Sequence, residues 1–167
     1  MKCKWVSNAK FYTDGSPLKY KEILVANGYS QFQGIYYNYT FALVEKMDSI
    51  RLAPTIAASR KWEVHHMDLK CAFINGDMNE DIFMQQPKCF VSNPSLVCRL
   101  KKSLYGLKQA PRAWYAKIDG FLLSLSFVPC KSNPNVYLKL IHGSLMNIVL
   151  YVDDLLIREV KIKRLHP

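Results

Sequence analysis

Residues 148–157 constrain the fold of this chain most, because two adjacent aspartates interrupt a run that is otherwise apolar or aromatic. The run reads Ile-Val-Leu-Tyr-Val-Asp-Asp-Leu-Leu-Ile, with Asp153 and Asp154 near its centre. An Asp-Asp pair is ordinarily a solvated turn. Here the apolar flanks predict a packed hairpin, on which two carboxylates repel each other and lose hydration unless a cation compensates them. Oxygen ligands of this kind suit Mg²⁺.

A third carboxylate, Asp68, follows a segment that alternates like a β-strand. Trp62, Val64 and His66 fall on one face of that segment, and Asp68 ends it. Neighbouring strands of one sheet can bring Asp68 beside the Asp153–Asp154 pair. Three carboxylates there could hold two Mg²⁺ ions about 4 Å apart, an arrangement that stabilises the attacking and leaving oxygens in phosphoryl transfer.

The strand-like segments predict mostly hairpin connections. Residues 4–13 and 18–26 are separated by the turn residues Asp14-Gly15-Ser16-Pro17, which predicts a β-hairpin. Residues 135–141 and 145–151 are strand-like runs joined by His142-Gly143-Ser144. Residues 28–38 are expected to form a polar and aromatic loop.

Two helices are expected between these strands, so the fold class is α+β. The first begins at Asp48 or Ser49 and contains Pro54. The second has Pro111 as its first residue. Its spacing predicts one continuous apolar stripe, formed by Trp114, Ile118, Phe121, Leu122 and Leu125. With no repeat and no linker, we expect a single domain over residues 1–167.

The charge is unevenly distributed along the chain. The net charge is +10. Residues 1–83 contain 10 basic and 9 acidic side chains, whereas residues 84–167 contain 13 and 4. Between Asp81 and Asp119 there is no acidic residue. Such a basic stretch favours a polyanionic partner such as nucleic acid, and a merely soluble basic surface is the alternative.

Composition excludes several other classes. Five cysteines without a C-x-x-C pair predict reduced thiols and no zinc site, and we interpret the four histidines as structural. No apolar run approaches the roughly 20 residues that span a bilayer, and the N-terminus does not read as a secretory signal. We therefore expect an intracellular protein with no membrane partner.

Four blocks in order resemble the reverse transcriptase domain of copia-type LTR retrotransposons. Residues 19–31 contain Lys-Tyr-Lys, Leu-Val-Ala and Gly-Tyr-Ser-Gln, and residues 67–77 read Met-Asp-Leu-Lys-Cys-Ala-Phe-Ile-Asn-Gly-Asp. Residues 97–115 contain Leu-Lys-Lys-Ser-Leu-Tyr-Gly-Leu-Lys-Gln-Ala-Pro-Arg-Ala-Trp-Tyr, and residues 151–157 read Tyr-Val-Asp-Asp-Leu-Leu-Ile. The resemblance covers nearly the whole chain, and several long blocks in the right order are very specific.

The resemblance implies the fingers and part of the palm of a polymerase, with the palm built on a ferredoxin-like (RRM-like) antiparallel sheet. Only residues 155–167 follow the catalytic hairpin. We therefore expect a diverged copy that ends shortly after that hairpin and lacks the thumb and the ribonuclease H domain. By family analogy, the expected compartment is a cytoplasmic particle or the nucleus. The oligomeric state stays open.

The resemblance also implies roles for individual residues. Asp68, Asp153 and Asp154 match the family's catalytic aspartates, which bind two Mg²⁺ ions, with Mn²⁺ as an alternative. The expected partners are an RNA or DNA template-primer and deoxynucleoside triphosphates. Residues expected to bind the nucleotide are Lys21, Phe73, Gln109, Tyr151 and Val152, with core packing as the alternative role of Phe73. Residues expected to contact the template-primer are Lys101, Lys102, Lys108, Arg112 and Lys117.

One departure from the family pattern concerns the nucleotide. Ile23 stands where relatives have an arginine that clamps phosphate, and Glu22 beside it adds negative charge. Two functions from different classes therefore stay open: an RNA-directed DNA polymerase domain, and a non-catalytic nucleic-acid-binding remnant of a decayed copy. A fragment that cannot fold stably is a third alternative.

Overall fold

The computed structural model describes residues 1–40 and 47–161, and it is an α+β fold with antiparallel sheets. The elements are, in chain order, β1 (Cys3–Phe11), β2 (Pro17–Ala26), a 3-10 turn (Gly28–Ser30), α1 (Met47–Arg60), β3 (Val64–Asp68), α2 (Ala72–Asn75), β4 (Phe83–Gln85), β5 (Val97–Arg99), α3 (Ala110–Ser124), β6 (Val128–Cys130), β7 (Asn133–Ile141), β8 (Ser144–Tyr151) and β9 (Asp154–Lys161). No helix among the described residues is long and apolar enough to cross a membrane.

The chain divides into two compact units. The first comprises Met1–Phe41 and Phe73–Trp114, and the second comprises Ala42–Ala72 and Tyr115–Pro167. The first unit contains the β1–β2 hairpin and the short β4–β5 pair. Its core consists of the buried side chains of Ala26, Ile82, Met84, Leu107 and Ala110.

A close backbone contact fixes the base of the β1–β2 hairpin in the first unit. The amide of Ala26 donates to the carbonyl oxygen of Tyr105 at 2.7 Å. A Cβ atom on Gly28 would lie 1.9 Å from the carbonyl oxygen of Gly106, so only glycine fits there. This contact anchors the end of β2 beside the start of α3.

The second unit is built on a five-stranded antiparallel sheet with the order β3-β9-β8-β7-β6. The β7–β8 turn has positive φ at both His142 and Gly143, which is typical of the tight turn that joins twisted strands. Ile148, Val149 and Leu150 are buried near the C-terminal end of β8, just before the turn that carries the aspartates. The apolar flank of the aspartate pair is therefore a central strand.

Most predicted elements are confirmed. The hairpin, β3 with Asp68 at its end, the second helix, and β7 and β8 all form near the predicted bounds. Helix α1 continues through Pro54. The expected cap at Asp48 or Ser49 lies outside the side chains that the structure describes. None of the five cysteines, all of which lie in described segments, forms a disulfide.

The predicted stripe on α3 is wrong in part. Trp114, Ile118 and Leu122 are buried, but Phe121 is 56% exposed and Leu125 is 43% exposed. Phe121 lies at the edge of the stripe, and Leu125 follows the last helical residue, so the helical period no longer applies to it. The buried face of α3 is therefore narrower than the apolar stripe predicted from the sequence.

Candidate functional site

The three predicted catalytic aspartates converge at one end of the five-stranded sheet. Asp68 is the last residue of β3 and lies directly opposite Asp154, the first residue of β9. Asp153 precedes Asp154 in the turn between β8 and β9, and its carbonyl oxygen accepts a hydrogen bond from the amide of Leu69 at 2.8 Å. Directly opposed side chains in an antiparallel pair have Cβ atoms about 4.5–5.5 Å apart, so like charges there repel.

The turn that presents these carboxylates has an unusual backbone. Tyr151 pairs with Asp154, so the connection contains only Val152 and Asp153. Val152 has φ +55°, a left-handed conformation that is strained for a β-branched residue. Such strain costs on the order of 1–3 kcal/mol and persists only where the surrounding structure enforces it. Here the two long strands that flank the turn enforce it.

A histidine contacts one of the aspartates. The Nε2 atom of His66 lies 2.7 Å from Oδ1 of Asp154. His66 and Asp68 are two residues apart on β3 and therefore share a face with Asp154. The structural role expected for His66 does not include this contact with a predicted catalytic residue. The sequence pattern indicated that His66 lies near the site, because the alternation that places Asp68 on one face of β3 places His66 on the same face.

The side chains of the described residues do not form a metal centre. Across residues 1–40 and 47–161, no group of three His, Cys, Asp or Glu side chains could hold a metal ion. The backbone of the three aspartates is adjacent, but the Asp154 carboxylate is engaged by His66. The donor chemistry still fits a hard divalent cation, because carboxylate oxygens are its preferred ligands.

The other residues predicted to bind a nucleotide lie in both units. Tyr151 and Val152 belong to the second unit with the aspartates, whereas Lys21, Phe73 and Gln109 belong to the first. Lys21 is exposed on β2. Phe73 is half-buried, and its ring contacts Tyr105 edge-on with centroids 5.3 Å apart.

Gln109 lies in a buried polar network. Its side chain is only 3% exposed, as is that of Gln31. The Gln31 amide nitrogen donates to Oε1 of Gln109 at 3.1 Å, and Nε2 of Gln109 donates to the carbonyl oxygen of Tyr36 at 3.0 Å. The backbone amide of Lys108 donates to Oε1 of Gln31 at 2.9 Å. Both ends of the Gln109 amide are therefore satisfied within the protein, and Gln31 is its positioning residue.

The five residues predicted to contact template-primer have different surroundings. Lys101 and Lys117 are exposed. Lys102 pairs with Asp77 on the surface. The Nζ atom of Lys108 lies 5.3 Å from the centre of the Tyr37 ring, and the Arg112 guanidinium lies 5.0 Å from that of Tyr39. Lys108 and Arg112 thus form cation–π contacts with the loop that follows β2.

The strand register changes the interpretation of Glu22. Ile23 lies opposite Val6 on the same face as Lys21, whereas Glu22 lies opposite Ser7 on the other face. The Ser7 hydroxyl donates to the Glu22 carboxylate at 3.1 Å. The negative charge of Glu22 therefore lies on the face of β2 opposite that of Lys21 and Ile23, because neighbours along a strand point to opposite faces.

The chain matches one protein family and several transposon polyproteins. Residues 1–166 match the family model described as reverse transcriptase (RNA-dependent DNA polymerase). The chain is 41% identical over 157 residues to the retrovirus-related Pol polyprotein from transposon RE1 of Arabidopsis thaliana, which covers 93% of this chain and 11% of that relative. It is 44% identical over 160 residues to the corresponding polyprotein from transposon TNT 1-94 of Nicotiana tabacum, covering 94% and 12%.

A more distant relative is the transposon Ty1-BL Gag-Pol polyprotein of Saccharomyces cerevisiae, with 29% identity over 103 residues, which are 62% of this chain and 6% of that protein. The chain thus spans about a tenth of the length of the RE1 and TNT 1-94 polyproteins. No solved structure matches it.

Proposed function

Because the chain belongs to the reverse transcriptase (RNA-dependent DNA polymerase) family of copia-type retrotransposons, we propose that it catalyses RNA-directed DNA synthesis. The observation that carries the proposal is the direct opposition of Asp68 and Asp154 beside Asp153 at one end of the five-stranded sheet. Opposed carboxylates destabilise a sheet end unless a cation compensates them. Three carboxylates that cost stability without a cation are therefore expected to serve as cation ligands.

In this proposal, Asp68, Asp153 and Asp154 hold two Mg²⁺ ions, or Mn²⁺ in their place. Three carboxylates supply three negative charges and hard oxygen ligands, which suit these cations. For Asp154 to contribute, its carboxylate turns away from His66. Cations held there would stabilise the charge that develops as the primer 3′-oxygen loses its proton and bonds to the α-phosphorus of a deoxynucleotide, while the bond from that phosphorus to the departing pyrophosphate breaks.

The protein residues bind and orient the substrates. The exposed Lys21 is proposed to contact the triphosphate, and Phe73 to pack under the sugar, where an aromatic ring excludes a 2′-hydroxyl. Gln109 is proposed to contact the nucleotide through the second N–H of its amide, while the hydrogen bonds with Gln31 and with the carbonyl oxygen of Tyr36 fix the orientation of that amide. Tyr151 and Val152 border the aspartates in the turn. Such positioning supplies much of the rate enhancement in phosphoryl transfer.

The two units are proposed to correspond to the fingers and to part of the palm. The first unit contributes the β1–β2 hairpin that carries Lys21, and the second contributes the antiparallel sheet that carries the aspartates. A ferredoxin-like arrangement of that sheet is part of the proposal. The template-primer is proposed to contact Lys101, Lys102, Lys108, Arg112 and Lys117 through its phosphates.

Primer extension by the purified chain tests the proposal. A DNA primer annealed to an RNA template is incubated with deoxynucleotides and Mg²⁺. We expect Mg²⁺-dependent extension that Asp153→Asn abolishes, because one ligand charge is lost while the shape is kept. The matched control is Glu159→Gln, which removes one charge from an exposed position on β9 and should extend normally. Equal extension by both variants would contradict the assignment.

A second candidate function is nucleic-acid binding without synthesis. The observation that favours it is the hydrogen bond between His66 and Asp154, which engages one of the three carboxylates. Salt-dependent binding of template-primer by a folded chain, with no extension at any Mg²⁺ concentration, would support this candidate over the polymerase.

A further inference from the structure

The β1–β2 hairpin carries four lysines on one face. Lys10 pairs directly with Lys19, Lys21 follows on the same face of β2, and Lys4 continues that face along β1. All four are exposed. We call Lys4, Lys10, Lys19 and Lys21 the lysine face of the hairpin.

Nothing among the described residues compensates this charge. None of the four lysine side chains forms an ion pair or hydrogen bond within the part of the chain that the structure describes. Glu22, the acid on these two strands, points to the opposite face and accepts a hydrogen bond from Ser7. Asp14 in the turn accepts hydrogen bonds from Ser16, which hold the pKa of its carboxyl below the ordinary value.

The opposite face of the hairpin packs against the protein. Trp5 lies opposite Leu24 on that face, and its indole nitrogen donates to the carbonyl oxygen of Lys88 at 3.2 Å. Its ring also lies 6.0 Å from that of Phe90. The protein therefore holds the hairpin through Trp5 on this face, whereas on the lysine face Val25 packs near Gly106 and the four lysines remain exposed.

A directly opposed Lys10–Lys19 pair is unfavourable on its own. Like charges opposite each other in an antiparallel sheet destabilise it, and Lys21 adds a third positive charge next to Lys19 on the same face. Such an arrangement is stabilised when a polyanion binds across it. The opposed lysines therefore destabilise the hairpin in the unbound protein, and a bound polyanion would remove this repulsion.

The spacing of the lysines fits a row of phosphates. Lys19 and Lys21 are two residues apart, or about 6.7 Å along an extended strand. Phosphates along one strand of a duplex rise about 3.4 Å per nucleotide along the helix axis, so Lys19 and Lys21 lie close enough together to contact phosphates of nearby nucleotides. From Lys4 to Lys10 the face extends about 20 Å, which is long enough for the four lysines to contact separate phosphates of one strand.

We propose that the lysine face of the β1–β2 hairpin binds the phosphate backbone of a nucleic-acid strand without reading its sequence. This inference rests on the proposed function, because it names a second surface for the same polyanionic substrate. Lys4, Lys10 and Lys19 are its new members, separate from the basic residues between 101 and 117. An acidic protein is the competing partner, and it lacks a regular spacing of charges that the ribbon could match.

The salt dependence of binding tests the proposal. A fluorescein-labelled DNA primer on an RNA template is titrated with the chain at several salt concentrations, and log K is plotted against log salt. The double variant Lys10→Gln/Lys19→Gln should bind with a slope shallower by about 1.4 to 1.8, because two phosphate contacts are lost. Lys10→Arg/Lys19→Arg should keep the wild-type slope.

The control is Lys61→Gln/Lys131→Gln, which removes the same charge from two exposed positions in the second unit and should leave the slope unchanged. An equal slope for wild type and the Lys10/Lys19 glutamine variant would overturn the lysine face while leaving the proposed function standing. A wild-type chain that binds no template-primer at low salt would overturn both. Poly-glutamate and unlabelled template-primer are compared as competitors at equal concentrations of negative charge. If poly-glutamate displaces the probe equally well, an acidic protein is the favoured partner and the proposal is overturned.

Discussion

At the scale of single residues, the cation role proposed for Asp154 depends on its contact with His66. The two atoms are 2.7 Å apart, and both side chains are partly solvent-exposed. The hydrogen bond must break before Asp154 can act with Asp68 and Asp153 as a ligand. The free energy of this hydrogen bond therefore makes cation binding at the proposed site weaker.

Replacing His66 should strengthen cation binding. In His66→Ala the Asp154 carboxylate has no partner to lose, so the affinity for Mn²⁺ should rise about fivefold, which corresponds to about 1 kcal/mol for one hydrogen bond. Mn²⁺ titration followed by electron paramagnetic resonance measures this directly. His65→Ala is the matched control, since His65 lies on the other face of β3. Unchanged or weaker affinity in His66→Ala would show that the contact does not compete with the cation.

The sequence specified the position of the aspartates better than their contacts. Alternation placed Asp68 at a strand end, and the apolar flanks placed Asp153 and Asp154 at a hairpin, as the register confirms. The orientation of the Asp154 side chain could not be predicted, because it depends on a neighbour 88 residues away. The positive φ of Val152 was equally hidden, since valine gives no turn signal.

At the scale of secondary-structure elements, a buried tyrosine joins helix α3 to the sheet. Tyr137 on β7 is fully buried, and its hydroxyl donates to the carboxylate of Asp119 on α3 at 2.7 Å. Burial and the contacts with Tyr115 and Asp119 raise the pKa of Tyr137 far above its ordinary value, so it remains a neutral donor. In the sequence, Asp119 is the sole acid between Asp81 and Asp153.

Removing this donor should destabilise the second unit. Tyr137→Phe should lower the free energy of unfolding by about 2 kcal/mol, the range for a hydrogen bond to a charged group. Urea denaturation followed by circular dichroism measures the change. Tyr115→Phe is the matched comparison and should cost less, because its hydroxyl makes only long contacts of 3.4 and 3.5 Å with Tyr137 and Pro134. Equal losses for the two variants would contradict a special role for the Tyr137–Asp119 bond.

Elements with a repeated pattern were predictable, and the three-residue strands were not. The hairpin, β7, β8 and α3 each repeat a period over at least eight residues. The three-residue strands β4, β5 and β6 were missed, because alternation over three residues cannot be distinguished from a loop. Their pairing depends on tertiary contacts, such as the amide of Gln85 donating to the carbonyl of Met1 at 2.8 Å.

At the scale of the whole molecule, the pairing register matters as much as the net charge. The first 83 residues are nearly balanced in charge, which favoured the second half as the basic surface. The structure separates the charges of the hairpin by face, so that four lysines share a face that Glu22 does not. Counting charges along a sequence misses this separation, because alternate residues of a strand point in opposite directions.

The proposed cation site depends on few parts of the chain. Asp68, Asp153 and Asp154 are held by β3, β8 and β9 alone, whereas the residues proposed to contact template-primer and nucleotide belong to both units. Cation binding can therefore be measured on this chain independently of the much longer polyproteins to which it is similar.

The most direct test is titration of the purified, folded chain with Mn²⁺, followed by electron paramagnetic resonance. We expect saturable binding by the wild type that weakens at least tenfold in Asp68→Asn and in Asp153→Asn, because each variant loses one ligand charge. Glu159→Gln should bind as the wild type does. Equal Mn²⁺ affinity in the wild type and in Asp68→Asn would contradict the assignment of these aspartates as one cation site.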